Sequence, residues 1–442
     1  IFLIVVFLFL SCPAWSATYY VKNGGNDSAA GTSDETAWAT IAKVASTAVA
    51  GDTVYFDRQG SWSGASPVLD TTPGVTYDGI TYTTSGSQVR AKLIATAYQD
   101  SYRQVVVRIN GTSATTTTVK GFELDSNDLN LSGLAVGYGA NASNVLVDNC
   151  VMHNAANSGW NYGMIISYAN SVVSNVTVQN CEVYDFAQEL VCLYPSSGGS
   201  ATNVTIRNNT IHDGGTASAQ RYGIGIILKN TSSNVIIEYN TLYNNNYAGI
   251  WVNPAANGTP VNATIRYNLI YNNHTGIGWQ HSDGNTNDAS ANVYGNILYN
   301  NNDTTYNPAY YTTNMWLGAY DTINVYNNTI YETGSQGAGG AVYPLGGSGT
   351  INFRNNIIYT TNAVGVYDSG GYLTHSNNLI YRASGTAVYD NGSSYTSAQI
   401  TNWDNTAVGT NPSFTGGTLP AGFSGTYGSN MVPNTDYFQL TV

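Results

Sequence analysis

The stretch "IEYNTLYNNNYAGIWVN", residues 237 to 253, decides the fold. An apolar alternation runs into an Asn, continues as Thr-Leu-Tyr and an Asn-rich bend, and ends in Gly-Ile-Trp-Val. Nearly the same phrase returns at 265 to 280 as "IRYNLIYNNHTGIGWQ". Aligned on its Asn, the phrase puts Asn209, Asn240, Asn268, Asn296, Asn328, Asn356 and Asn378 in one column, and the register carried backward adds Cys181 and Cys150. From 150 to 378 the column takes eight steps over 228 residues, a mean of 28.5. Each step holds three short runs of period-two alternation, such as "NVIIEY", "TLY" and "GIWVN" around Asn240. That period marks strands. Three strands per fixed step, with no helical pattern between them, describe a chain wound round an axis that stacks parallel strands about 4.8 Å apart. An Asn at the same inward bend of every coil can bond to its neighbours above and below, satisfying bend amides that would otherwise be buried without partners. Cys150 and Cys181 in that column read as small buried apolar residues.

Composition narrows the function. Only 9% of the 442 residues are charged, against roughly 25% in ordinary soluble proteins. Asn, Thr, Ser, 47 Gly and 35 Tyr stand in their place, a surface suited to sugars. A net charge of −12 with 14 Lys and Arg excludes nucleic acid as a partner, because no basic patch can track phosphates. It also weighs against a polyanionic substrate unless a bound cation supplies positive charge.

The opening "IFLIVVFLFLSCPAWSA" is too short for a membrane span. Its apolar run and Ala14-Trp15-Ser16 look like a signal peptide met part-way through, over 1–16; Leu10-Ser11-Cys12 allows a lipid anchor, though Phe9 fits that motif poorly. The expected location is secreted or cell-surface, with no transmembrane segment and a monomeric state. Three Cys remain after cleavage, 150, 181 and 192, neither a paired framework nor a zinc spacing. No phosphate loop, His-Glu-x-x-His or Gly-x-Ser-x-Gly motif occurs. Within "DETAWATIAKVASTAVAG" (34 to 51), Trp38, Ile41, Ala45 and Ala48 share a helical face, with Asp34 as cap and Gly51 as stop. An amphipathic helix there would cover the open end of the solenoid.

"TYYVKNGGNDSAAGTSDETAWATIAKV" (18 to 44), "AGDTVYF" (50 to 56), "VKGFELDSN" (119 to 127) and the Asn coils together resemble secreted right-handed parallel β-helix proteins of the pectate-lyase-like superfamily. The resemblance covers residues 18 to about 440. It implies an all-β right-handed parallel β-helix, with a strand and capping helix over 17–51, the β-helix over 52–400 and a closing segment over 401–442. "NPSF" (411 to 414) and "NTDYFQL" (434 to 440) resemble the closing segment of such proteins, whose usual tail is absent. This fold carries lyases, hydrolases, epimerases, adhesins and tailspikes, so chemistry does not follow from it. In the resembling enzymes the substrate groove runs along the sheet after the third bend.

Columns of a solenoid become rows on its surface. Three residues after the Asn column stand His153, Tyr184, His212, Tyr243, Tyr271, Tyr299, Tyr331, Tyr359 and Tyr381. They form either a stabilising stack or a sugar-binding track. Two residues before it, Arg207, Glu238 and Arg266 alternate in sign and suggest a salt-bridge ladder. On the third strand an outward row is expected to run Ile165, Val191, Gly225, Trp251, Gly278, Trp316. Glycines beside Trp251 would leave its indole exposed as a carbohydrate platform, with Trp316, Tyr243, Tyr271 and Arg221 as further binding residues. Four residues after the Asn column, Asp185 and Asp213 fall on neighbouring coils, within roughly 5 Å. That spacing suits a retaining glycosidase pair or, with Glu189, ligands for Ca²⁺; the bland reading is turn aspartates bonding their own backbone. His212 and Lys229 are the proton-transfer candidates, and Lys229 with Arg221 could supply the positive charge a lyase needs. The Arg-x-Pro-x-x-Arg motif of one pectate-lyase family is missing, and Asn-Thr-Asp at 434 to 436 lacks the partner motifs of polygalacturonases. The leading expectation is binding and cleavage of an extracellular polysaccharide by lyase or glycosidase chemistry. The competing one is a non-catalytic adhesive β-helix.

Overall fold

The computed structural model describes residues 16–414, apart from 99–103, 158, 197, 216–222, 231, 254–260, 280–288, 303–311, 319–321, 337–338 and 347–348. The leader at 1–15, Arg221 and the "NTDYFQL" segment lie outside the described residues. Three parallel sheets run the length of the chain, two of 13 strands and one of 12. Each coil gives one strand to each sheet; around Asn240 they are Ser232–Glu238, Thr241–Tyr243 and Ala248–Asn253. We call these the first, second and third sheets in that order. The parallel β-helix expected from the repeat is therefore the architecture, and each of the three alternating runs is a strand.

The alternation dictates what lies inside. Val204, Val235 and Ala263 of the first sheet, Ile211 and Leu242 of the second and Ile250 of the third all point inward and are at most 2% exposed. Consecutive coils pair in register, Val204 with Val235 and then Ala263, so like stacks on like down the axis.

The Asn column is a continuous buried ladder. The Oδ1 of Asn268 accepts from the backbone N–H and from the Nδ2 of Asn240, both at 3.0 Å, and its own Nδ2 donates to the Ile237 carbonyl at 2.9 Å. The same three bonds repeat from Asn209 to Asn356. Cys181 begins the column, its N–H donating to Asn209 Oδ1 at 2.9 Å. Cys150, Cys181 and Cys192 are buried, and none is in a disulfide among the described residues. The residue before each ladder Asn takes the left-handed conformation, as in Asn208, Asn327 and Asn355 at φ 54, 55 and 55°. Asn tolerates that region because its short side chain can bond locally. Two coils depart from this, with Tyr239 and Tyr267 at φ 56 and 57°, a strained state for a bulky residue.

A second buried ladder, at the bend between second and third sheets, has Asn245, Asn273, Asn301 and Asn314 in succession. It ends on Glu332, fully buried, which accepts from Asn314 and Asn302 Nδ2 at 2.8 Å and from the Gly334 N–H at 2.7 Å. A carboxylate can only accept, so it closes a ladder that each Asn would extend. Burial outweighs these donors and pushes the Glu332 carboxyl up to about 7.

The N-terminal helix is shorter than its sequence pattern. It spans Ile41–Thr47 and is capped by Thr40, whose Oγ1 accepts from Lys43 N at 3.1 Å. The Asp27 carboxylate binds the N–H groups of Ala39 and Thr40 and holds the chain extended up to that point. Asp34 is consequently no cap; it pairs with Lys22 at 2.9 Å and takes the Tyr82 hydroxyl. Trp38 precedes the helix, bridging to Val21, and Val44 with Ala48 forms the buried face while Ala45 is exposed. At the other end Ser393–Thr396 turns back antiparallel on Thr386–Asp390, followed by a short helix, Ile400–Trp403. Phe414 of "NPSF" packs against Tyr331 and Tyr359. No helix among the described residues is long and apolar enough to cross a membrane.

Asn268→Ala orphans the Asn240 backbone N–H and the Ile237 carbonyl and leaves Asn240 Nδ2 with only the Ile206 carbonyl, and should cost about 3 kcal/mol, read as a lowered urea midpoint. For Glu332 the folded value of about 7 lies above the 4.5 of the free side chain. The folded state thus holds the extra proton, and this contribution to stability is full below pH 4.5 and lost as pH rises through about 7. Thermal melts from pH 4.5 to 7.5 should fall with that profile, and the slope should flatten in Glu332→Gln.

Candidate functional site

Asp185 and Asp213 occupy equivalent corners of neighbouring coils, with the Asp185 N–H donating to the Asp213 carbonyl at 3.4 Å. Both are left-handed, at φ 63 and 52°, and the same corner is Asn154, Asn244, Asn272 and Asn300 on other coils. The pair is therefore a turn-forming pair first. Asp213 is fully engaged: Oδ2 bonds His212 Nδ1 at 2.7 Å and Oδ1 accepts from Asn244 Nδ2 at 3.1 Å. Asp185 is half-buried. Burial raises its carboxyl above the ordinary value, nearby His153 opposes this and Asp213 adds to it.

His212 is 1% exposed and sandwiched between Tyr184 and Tyr243, with ring centroids 5.0 and 4.7 Å away. Its Nε2 lies 3.4 Å from Glu182 Oε1. Burial disfavours the charged ring, but the bonds to Asp213 and Glu182 outweigh it and raise the imidazole above its ordinary value. One strip of the second sheet thus gathers Asp185, His212, Asp213 and Glu182. Two coils before Glu182, Glu123, bonded to His153 at 3.2 Å and Lys92 at 2.8 Å, is pulled down to about 2.

Lys229 and Glu189 do not join them. Lys229 Nζ pairs with Glu189 Oε1 at 2.8 Å and sits 4.7 Å over the Tyr194 ring. Burial opposes the charge, but Cys192 and Glu189 beside it win, so Lys229 remains an ammonium. It can stabilise an anion and does not serve as a base at neutral pH. With Glu189 drawn to Lys229 and both Asp213 oxygens occupied, the expected Ca²⁺ ligands do not converge. Among the described residues no three His, Cys, Asp or Glu side chains could hold a metal. The residues present do not fit the cation.

The aromatic expectations also change. Tyr243 and Tyr271 are 4 and 0% exposed, stacked 4.9 Å apart in the continuous ring column of the second sheet. Their faces are spent on each other. Trp251 is 2% exposed. In the observed register its row is Ile165, Cys192, Ile227, Trp251, Gly278, Trp316, whereas Val191 pairs with Met164 and Ile226. Gly278 does clear space, since a Cβ there would lie 2.0 Å from the Trp251 ring. The indole fills that notch and packs against Tyr247 at 4.9 Å and Trp316 at 6.1 Å. It belongs to an apolar cluster on the outer face with Ile165, Cys192 and Ile227.

The same row continues where sequence reading stopped. Beyond Trp316 come Tyr343, Tyr367 and Tyr389, all half-buried, one per coil, with centroids 6.0, 6.0 and 4.7 Å apart. The recurring "AVYPL", "GVYDS" and "AVYDN" carried that signal. Trp316 lies at 71° to Trp251 and 85° to Tyr343, turned across the row. Toward the other end of this face Tyr138, Tyr168 and Tyr194 stack at 5.1 and 6.0 Å and lead to Lys229. On the first sheet only part of the expected ion ladder forms. Arg266 pairs with Glu238 at 2.6 Å, and Arg207 turns instead to Gln179 Oε1 at 2.7 Å.

The family model described as right handed beta helix region matches residues 105–313 and 225–407. Among solved structures the chain is similar to pectate lyase Pel9A, at 12% identity over 97% of this chain and 90% of that one, with a TM-score of 0.48. It is similar to the GH136 lacto-N-biosidase from Eubacterium ramulus at 13% identity, covering 78% of this chain and 64% of that chain, with a TM-score of 0.53. It is also similar to PfbA, a surface adhesin of Streptococcus pneumoniae, at 14% identity over 76% and 83%, with a TM-score of 0.48. No curated protein matches the sequence. These are likenesses of fold.

Because the Asp213 carboxylate favours the charged ring of His212, Asp213→Asn should lower the pKa of the His212 imidazole, followed by NMR across pH 5 to 9. An unchanged titration would show that Asp213 does not set the protonation of this ring.

Proposed function

The chain belongs to the right-handed β-helix family, and from that premise we propose that it is an exported, monomeric protein that binds a polysaccharide along the outer face of its third sheet. The observation that carries this reading is the row Trp316, Tyr343, Tyr367, Tyr389. Half-buried rings repeat once per coil there, at a spacing comparable with one sugar unit, and Trp316 stands nearly perpendicular to its neighbours. Aromatic bodies with polar tips suit sugars, whose C–H faces pack on rings and whose hydroxyls meet phenols. The low charge of the chain supports a surface that meets neutral polar material, and the apolar run at the N-terminus supports export.

Cleavage is the second reading, favoured by one observation. Asp185 is a half-buried carboxyl that burial raises above its ordinary value, beside a second carboxylate on the next coil. An upward shift of a carboxyl is the direction a general acid needs to assist departure of a sugar oxygen. Asp213, committed to His212, would be the partner that stays ionised. Lys229 as an ammonium supports binding of an acidic group on the same face.

Replacing Trp316 by Ala should weaken binding to the polysaccharide it recognises about tenfold, a loss of about 1.4 kcal/mol, read by affinity electrophoresis over a panel of neutral and acidic polysaccharides. Undiminished binding would sink the third-sheet reading. In the same panel, new reducing ends that vanish in Asp185→Asn would establish cleavage. Retained binding without any release, with Ca²⁺ supplied, would leave an adhesive protein.

A further inference from the structure

The corner between the first and second sheets presents a second aromatic surface, away from the third-sheet face. Tyr239 and Tyr267 are 54 and 45% exposed and stacked 5.2 Å apart. They stand at the left-handed corner that other coils give to Asn or Gly. The Tyr267 ring lies over Gly295 of the next coil, where a Cβ would come within 2.6 Å of it. The surface continues through Tyr294 and Tyr326, stacked 4.8 Å apart, with Arg266 over Tyr267 and Tyr294 and Arg354 over Tyr326. Two strained, solvent-facing aromatics where Asn would serve the fold better are poor core residues. Backbone strain retained at exposed side chains points to use.

Two further observations adjoin this surface. On the coils before Tyr239 the outer face of the first sheet holds a groove of about 350 Å³, lined by Asn144, Asn175, Thr177, Gln179 and Arg207 among others. Amides and hydroxyls dominate that lining. The register Gln179–Arg207–Glu238 places Arg207 where the groove meets the Tyr239 coil. The charges on this row are also unequal in their partners. Asp148 is held by the amides of Gln179 and Asn180, at 3.2 and 2.7 Å, and Glu238 by Arg266. Among the described residues no carboxylate pairs with Arg207 or Arg354. Two guanidinium groups with no carboxylate partner among the described residues therefore bracket the ring surface, in a chain whose net charge is −12.

We propose that this groove and corner form a second carbohydrate site, separate from the third-sheet face, for a sugar chain that bears carboxylates. One ring of the sugar packs on the face of Tyr239 turned away from Tyr267. The hydroxyls of the neighbouring residues meet Thr177 and the outer edges of Asn175 and Gln179, whose amides also bridge Asn144, Asn203 and Asp148. A uronate carboxylate takes the outward Nη1 and Nη2 hydrogens of Arg207, whose Nε and Nη2 also hold Gln179 Oε1. Long-range repulsion from the acidic protein is screened beyond about 8 Å at physiological salt, so local Arg contacts decide selectivity.

The test uses the full chain, with a galacturonate tetramer and its methyl-ester counterpart as probes in 0.15 M salt, followed by calorimetry. Tyr239→Asn restores the residue type used by other coils, so its melting temperature should hold or rise. Arg207→Gln removes the charge alone. Each should weaken the acidic tetramer about tenfold, equivalent to about 1.4 kcal/mol, while Val49→Ala, an exposed residue of the N-terminal end outside both faces, should leave that binding in place. The methyl ester should bind less tightly than the acid. The proposal fails if neither probe binds, if acid and ester bind alike, or if Tyr367→Ala abolishes binding while the corner variants keep it. It fails too if the wild type self-associates in sedimentation and Tyr239→Asn does not, because the occupant is then a second copy of the chain.

Discussion

One buried side-chain amide per coil holds this structure together. Each ladder Asn satisfies an N–H and a side-chain amide of the previous coil and a carbonyl of that coil's first strand, so a bend that would bury three unmet polar groups buries none. Leaving such groups unmade costs more than making them gains, which ties every coil to the same path. That fixed path is what places residues about 28 positions apart in contact. Cys181 shows how little the start of the ladder requires, since its backbone N–H alone meets Asn209. Glu332 shows how a ladder can end, because a carboxylate accepts from several amides and donates to none.

From that constraint the fold was legible and the surface only half so. Period-two runs gave the three strands of each coil, and the Asn column gave the register, including the two Cys positions. Adjacency followed correctly for the Tyr column and for Asp185 with Asp213. Exposure did not follow, because a column says which residues touch and not what covers them. Trp251 was read as exposed from its glycine neighbour, yet the gap at Gly278 is filled by the Trp251 ring itself. Trp316, on the same row, is the half-buried ring. The third-sheet row was also misaligned by one residue at Val191 and by two at Gly225, and a slip of one exchanges inside for outside. The second ladder went unread because Asn245, Asn273 and Asn301 sit among other bend asparagines, where only bonding partners tell a ladder from a turn.

The chemistry was the least legible part. Asp and Asn are interchangeable to the left-handed corner that Asp185 and Asp213 occupy, so their presence alone does not distinguish a turn from a reactive pair. What separates the two acids is their surroundings. Asp213 spends both oxygens on His212 and Asn244, whereas burial raises the Asp185 carboxyl above its ordinary value. Glu189 and Lys229, 40 residues apart in sequence, find each other at 2.8 Å, and that pairing removed both a metal ligand and a base from the expected site. A sequence column cannot show such a pair, because the two residues belong to different columns.

A solenoid lets its faces serve separately. Each row is built from its own column, and a change in one column leaves the buried ladders and core untouched. Placing Tyr at a left-handed corner costs on the order of 1–2 kcal/mol per residue, modest against the burial that dozens of inward Ile, Val and Leu residues supply. The acidic composition is compatible with this division. A net charge is a property of the whole chain, whereas recognition at close range depends on which charges are already paired. Glu238 and Asp148 are paired, while Arg207 and Arg354 have no carboxylate partner among the described residues. Local pairing, rather than net charge, is therefore what determines which sugar each face of this protein can hold.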